Sequence, residues 1–244
     1  MAEEAPFDLM VRFGPVPPRG VGHKDIDSVR AALERQRITG AVLVGNRAIQ
    51  FDAPTGNTLV ADAINGGAGS PTLVTGAVLD PRLFTGAPTP PAEARMYYVL
   101  PATQGFPLPY APLRAMLQSL PQSLPIYFEV RREGDATQIG MLLQETGYKG
   151  ACLLGGATGY VLNEAITVAK GNNYVGITTH GMRGVGEIGY AVGALGANRV
   201  FFASGSPTES LAAAVAMLKL AGLSPDDRAA IFGANARRLL GIAA

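Results

Sequence analysis

Short apolar runs recur along the chain, and segments with helical spacing of apolar positions separate most of them. The runs fall at 7–13, 40–45, 72–79, 95–100, 125–130, 150–155, 174–178 and 199–204. Each has four to eight residues, the length of a strand. Between and after them, helices are predicted over 25–37, 58–64, 110–120, 136–146, 160–169, 187–195, 207–221 and 225–240. Ile26, Val29, Leu33 and Arg37 are spaced for one helix face, with Asp25 or Asp27 as the start signal. The last helix has the clearest start: Ser224 as N-cap, Pro225 at the first helical position, then Asp226 and Asp227 in the positive first turn. Gly14-Pro15 ends the first run and a Pro/Gly loop follows through Gly22; 84–92 is a second such loop.

Runs that are apolar throughout, rather than alternating, fit strands buried on both faces, as in a parallel sheet. Eight β/α units in one chain of 244 residues predict an α/β fold, a (β/α)8 TIM-like barrel, with 1–244 as a single domain. An open doubly wound sheet is the alternative. No Gly-x-Gly-x-x-Gly follows the first strand, which weakens its dinucleotide-binding version.

Composition narrows the function classes. Lys+Arg number 20 and Asp+Glu 19, so the net charge is +1 and no basic stripe points to nucleic acid. Apolar residues make up 48% of the chain, yet no run approaches the ~20 residues of a membrane helix. The acidic start, 1–6, lacks the apolar core of a secretory signal, so a cytoplasmic location is expected. The single Cys152 excludes an internal disulfide and, amid Ala151, Leu153 and Leu154, reads as a small core residue. With one cysteine and two histidines, a catalytic zinc, which takes about three protein ligands and a water, has little to bind to. His180, Glu129 and Asp80 would meet as ligands only by coincidence. No Asp-rich loop supports an oxygen-ligated Mg or Ca.

The C-terminal third resembles the amidohydrolase-related family of metal-dependent barrel hydrolases and decarboxylases. Leu223 to Gly241, with its Asn235-Ala236-x-x-Leu239 ending, looks like the family's closing helix. Gly196 to Pro207 resembles its eighth strand, and Phe7 to Pro15 its first, "D-x-H-x-H-x-G". The resemblance implies a barrel with its site at the C-terminal ends of the strands. The departures carry the functional reading. Asp8 and Gly14 fit the first-strand motif, but its two metal-binding histidines fall on Met10 and Arg12. The fifth strand, which ends in His in the family, ends in Glu129; 154–157 offers no histidine; and the eighth-strand aspartate, metal ligand and general base, falls on Gly205. No metal and no cofactor is therefore expected.

Arg12 is read as filling the vacated site, as a substitute cation or an anion clamp; since a buried charge needs a partner, a structural pair with Glu129 or Asp8 is the favoured reading. Glu129 could be a general base if desolvated, or the counter-charge of Arg12. His180 is the single histidine that strand position places on the functional face, and the best catalytic candidate; a lone histidine at a loop start is more often hydrogen-bonded or solvated. No serine has a nucleophile elbow. The strand-to-helix turns at Gly156 and at Ser204, Gly205 and Ser206 could hold an anion on backbone N–H groups, or simply turn the chain. Tyr98 is a candidate ligand contact or, with Tyr97 and Phe106, packing.

These readings predict an amidohydrolase-like barrel without its metal site: a non-catalytic binding or scaffold subunit, forming a homo-oligomer or a hetero-oligomer with an active amidohydrolase paralogue, and binding a small-molecule anion. The alternative is a metal-free hydrolase or decarboxylase-like lyase that uses Arg12, Glu129 and His180 on a small carboxylate-bearing substrate. Neither nucleic acid nor membrane is expected as a partner.

Overall fold

A computed structural model describes residues 5–16, 22–66, 69–84, 86, 90–184 and 186–243. Eight strands form one parallel sheet in sequential order: β1 (Phe7–Phe13), β2 (Gly40–Gly45), β3 (Thr72–Val78), β4 (Ala94–Val99), β5 (Ile126–Glu129), β6 (Cys152–Gly155), β7 (Val175–Thr178) and β8 (Val200–Phe201). The seam between β8 and β1 is closed by hydrogen bonds from Leu9 N–H to the Phe202 carbonyl (3.0 Å), Gly205 N–H to the Met10 carbonyl (2.9 Å) and Arg12 N–H to the Ser206 carbonyl (2.6 Å). The expected (β/α)8 barrel is the fold observed.

The helices are α1 (Ile26–Arg35), α2 (Asn46–Gln50), α3 (Ala53–Asn65), α4 (Pro101–Gln104), α5 (Ala111–Ser119), α6 (Asp135–Thr146), α7 (Gly159–Lys170), α8 (Glu187–Leu195), α9 (Leu211–Lys219), α10 (Pro225–Ala229) and α11 (Asn235–Leu240). Asp25 caps α1 in a capping box with Ser28, contributing about 1 kcal/mol. Val29 and Leu33 are the buried face of that helix, while Arg37 lies beyond its end. Ser224 caps α10 as its sequence signals, accepting from Asp227 N–H at 3.1 Å. The closing helix is not one continuous α-helix: a π-helical turn, Ala230–Ala234, sits between α10 and α11. Asn235 follows it, buried, and its amide donates to the carbonyls of Ala197, in the turn before β8, and Val200, the first residue of β8.

Several sequence-based boundaries shift. The helix expected over 58–64 is longer, because Asp52 caps it six residues earlier, accepting from Thr55 N–H. The helix expected from 207 starts only at Leu211, behind the Ser210 cap. The eighth strand, expected over 199–204, has two residues; a 3-10 turn precedes it and the side chain of Asp8 bonds the backbone after it. The predicted loop 84–92 and the Pro/Gly loop up to Gly22 lie partly outside the described residues.

The core has two parts, one inside the barrel and one between barrel and helices. The barrel interior packs large against small. An ideal Cβ at Gly40 would lie 2.5 Å from the Phe7 ring, at Gly76 2.6 Å from Tyr98, at Gly155 2.3 Å from Tyr127 and at Gly176 2.7 Å from Phe201. In each case a ring fills the space left by a glycine on an adjacent strand, which holds the barrel at close-packed density. Tyr98 belongs to this packing: it is fully buried, its ring centroid lies 5.3 Å from that of Tyr127, and its hydroxyl donates to the Leu9 carbonyl. It is a core residue rather than a contact for a ligand at the mouth. Cys152 is also fully buried, and burial pushes its thiol above the ordinary value, so it stays protonated. Among the described residues no helix is long and apolar enough to cross a membrane.

Candidate functional site

β1 delivers Arg12 to the C-terminal mouth. Its pairing with β2 shifts register between Asp8 and Val11, an irregularity that re-aims the last residues of the strand. The Arg12 side chain is only 6% exposed, and its Nε is buried without a hydrogen-bond partner. Burial pulls the guanidinium below its usual pKa, against the opposing field of Glu129 and Tyr127.

The favoured pairing of Arg12 with Glu129 or Asp8 does not form, because both carboxylates are engaged elsewhere. Glu129 accepts from Arg131 Nε at 3.0 Å and from the hydroxyl and backbone N–H of Thr103 at 2.7 and 2.9 Å. Asp8 accepts from the N–H groups of Met10 and Ser204, both at 2.9 Å, and from the Ser204 hydroxyl. Burial raises the Asp8 carboxyl to about 6 even though these bonds pull it down. Asp8 therefore holds the barrel seam, and Glu129 anchors Arg131 and the turn after β4. With its oxygens held by three donors, Glu129 is not poised as a free base.

β7 carries His180 into the mouth, 1% exposed. Its Nδ1 is 2.7 Å from the Tyr127 hydroxyl and its Nε2 has no hydrogen-bond partner. The nearest acid is Glu209, 3.6 Å from Nε2, too far for a hydrogen bond and already 3.0 Å from Arg183. Burial, with the cations of Arg131, Arg12 and Arg183, holds His180 well below the ordinary histidine pKa, so the imidazole is neutral. Gly205 explains why the ring fits. An ideal Cβ there would lie 2.6 Å from His180 Cδ2 and 2.7 Å from Nε2. The imidazole occupies the space that an eighth-strand side chain would take.

At the glycine-rich turns the amides of Gly156, Gly159, Ser204, Gly205 and Ser206 are already bonded within the protein. The N–H of Ser204 donates to Asp8, that of Gly205 to the Met10 carbonyl, and that of Ser206 to the Ser204 hydroxyl. The N–H of Gly156 donates to the His180 carbonyl at 2.8 Å. At the start of α7 the Glu187 carboxylate already receives Gly159 N–H at 2.6 Å and the Thr158 hydroxyl at 2.7 Å. At the start of α6, Glu164 receives Gly134 and Thr137 N–H in the same way. The protein supplies its own anions at these helix ends.

Sequence reasoning missed Tyr127, Thr103, Arg131, Arg183 and Glu209. Tyr127 was within reach: it lies two residues before Glu129 on one strand, hence on the same face. Arg183 and Glu209 come from loops that no periodicity marks. His23 also lies at this end of the barrel, paired with Phe13 at the end of β1, with Nε2 buried and unpartnered.

Glu129 pairs with Arg131 and Glu209 with Arg183, and Arg12 forms no ion pair among the described residues. Of the side chains at this end, Met10 and Arg12 on β1 and Gly205 offer no metal-binding oxygen or imidazole, Glu129 is held by three donors, and Asp80 is drawn into an ion pair with Arg82. Among the described residues no three His, Cys, Asp or Glu side chains group to hold an ion.

No family model and no curated protein matches the chain. Solved structures do, at low identity. A 2,6-dihydroxybenzoate decarboxylase from Rhizobium superposes with a TM-score of 0.71 at 14% identity, over 98% of this chain and 99% of that one. A protein described as a 2-pyrone-4,6-dicarboxylic acid hydrolase from Pseudomonas putida gives 0.71 at 16%, over 98% of both chains. An amidohydrolase 2 from Bifidobacterium longum subsp. infantis gives 0.67 at 15%, over 98% and 99%. These likenesses establish the barrel; at such identity they establish the fold alone.

Proposed function

We propose that this barrel is an amidohydrolase-related protein that binds a small carboxylate at its C-terminal mouth without a catalytic metal, as a binding subunit rather than a hydrolase. The observation that carries this reading is Arg12: a buried guanidinium with an unpartnered Nε and no ion pair among the described residues. A buried charge without a partner is costly, and a ligand carboxylate would supply that partner in a two-bond geometry suited to guanidinium. The named activities of the structural neighbours, a decarboxylase of 2,6-dihydroxybenzoate and a hydrolase of a dicarboxylic acid, support a carboxylate as the ligand class.

The test is calorimetric titration with a panel of small carboxylates, repeated with EDTA and with added Mn. Binding that is indifferent to both, and lost in Arg12→Met, is expected. Turnover that appears only with added metal would overturn the reading. The Tyr127–His180 pair at the mouth favours a second reading, a metal-free lyase or hydrolase. Turnover that persists in EDTA and disappears in His180→Ala at unchanged melting temperature would establish it. The subunit role rests on the donor set alone; native mass spectrometry should recover a second chain, either this one or a paralogue, and a solely monomeric protein would remove that part.

A further inference from the structure

The unpartnered groups at the mouth also select what accompanies the carboxylate. The Tyr127 hydroxyl is buried and has one partner among the described residues, His180 Nδ1. Burial pushes the Tyr127 hydroxyl far above the ordinary tyrosine range, so it keeps its proton. If Nδ1 carried the imidazole proton, the tyrosine O–H would have no acceptor. If the O–H donates to Nδ1 instead, both groups are satisfied and the imidazole proton sits on Nε2. That arrangement also turns an N–H, rather than a lone pair, toward the Glu209 carboxylate 3.6 Å away.

Among the described residues, Arg12 Nε, His180 Nε2, the Thr178 hydroxyl, His23 Nε2 and Asn46 Oδ1 are buried side-chain atoms without a hydrogen-bond partner. Of these, Arg12 and His180 lie close enough for the guanidinium to act on the imidazole, and Arg12 Nε–H and, in this tautomer, His180 Nε2–H are donors only. Arg12 and His180 come from β1 and β7, with β8 between them, and Gly205 puts no side chain in the way. The Arg183–Glu209 pair lies on the solvent side of His180, with the Arg183 side chain 69% exposed.

Building on the carboxylate reading above, we infer that the ligand is a 2-oxo carboxylic acid, its carboxylate on Arg12 and its 2-oxo oxygen accepting from His180 Nε2–H. Tyr127 acts as a positioning residue that fixes the imidazole tautomer. An acid without the 2-oxo group leaves the His180 N–H buried and unpaired.

Two measurements test this. Titration of the full chain with 2-oxobutanoate, butanoate and succinate should show 2-oxobutanoate binding at least tenfold more tightly than butanoate, and succinate more weakly than 2-oxobutanoate. Nitrogen-15 NMR of the unliganded protein should show the Nε2–H tautomer at His180, with His23→Gln making the assignment unique. In Tyr127→Phe the tenfold preference should shrink while butanoate binding persists. If no acid binds, the carboxylate reading itself fails. If butanoate and 2-oxobutanoate bind equally and both are lost in Arg12→Met, that reading stands and the 2-oxo inference is overturned. A Nδ1–H tautomer at His180 overturns it as well, whatever the affinities.

Discussion

Glu129 Oε1 lies 3.0 Å from Arg131 Nε, and that bond leaves Arg12 unpaired. The two arginines stand at the mouth of one barrel, on β1 and just after β5. Arg131 reaches the carboxylate from two residues along the same chain, the shorter connection. Thr103 occupies the rest of the carboxylate, with two more donors. Arg12 thus has no ion pair and feels Glu129 only at a distance.

Arg12→Met should therefore stabilise the ligand-free protein. Replacing a buried, unpaired cation by an apolar side chain of similar length removes a desolvation cost. For a chain of this size a gain of about 1–3 kcal/mol raises Tm by roughly 2–10 °C, read by scanning calorimetry. A fall of several degrees would mean that Arg12 has a structural partner after all.

Asp8 should make stability depend on pH in an unusual direction. Its folded pKa, about 6, is above its ordinary value of 3.8, so between these values the folded state holds the proton more tightly than the unfolded chain. Stability from this group is complete below about pH 4, falls as pH rises to 6, and stays lower above, by roughly 3 kcal/mol. Asp8→Asn cannot titrate. Urea unfolding at pH 4 and pH 7 should show the variant gaining on the wild type by about that amount between the two. A pH-independent difference would mean that Asp8 titrates in the ordinary range.

Gly205→Asp would put back an eighth-strand carboxylate, and it should not be tolerated while His180 is present. The ideal Cβ lies 2.6 Å from the imidazole and the backbone φ is +71°. Removing the ring should relieve the first problem and leave the second. In a double-mutant cycle with His180→Ala, the cost of Gly205→Asp should drop by at least about 1 kcal/mol. Strictly additive effects would show that the clash is not what excludes a side chain at 205.

Glu187 is the internal anion at the start of α7, receiving N–H groups from Gly159, Arg183 and Gly184 and the Thr158 hydroxyl. Partial burial pushes its carboxyl up, but these four bonds pull it below the ordinary value. Its contribution is present above the unfolded pKa and is lost as pH falls through the folded one. Glu187→Ala should cost about 1–2 kcal/mol at pH 7, at the low end because the site is partly open to solvent. Inorganic phosphate should then raise the Tm of the variant and not that of the wild type. If phosphate stabilised both equally, the turn would not be filled by Glu187.

The alternation of apolar runs and helical spacing was enough to assign the barrel, its strand order and most of its helices. Those features are local: a strand buried on both faces shows in its own seven residues, and a cap such as Asp25 or Ser224 acts within one turn. Positions 10, 12 and 205 could likewise be read as Met, Arg and Gly in a row, because residue identity needs no coordinates. Which charges meet could not be read that way. Arg12 has two eligible carboxylates in the sequence, and only the register of β1 and the reach of Arg131, Thr103 and Ser204 decide that neither is its partner. The glycine turns looked open because their amides appear unbonded in one dimension, whereas in three they face Asp8, Met10 and His180. Arg183 and Glu209 come from loops 26 residues apart, and only the closed barrel brings them to the mouth beside a histidine that another strand's tyrosine holds neutral and in place.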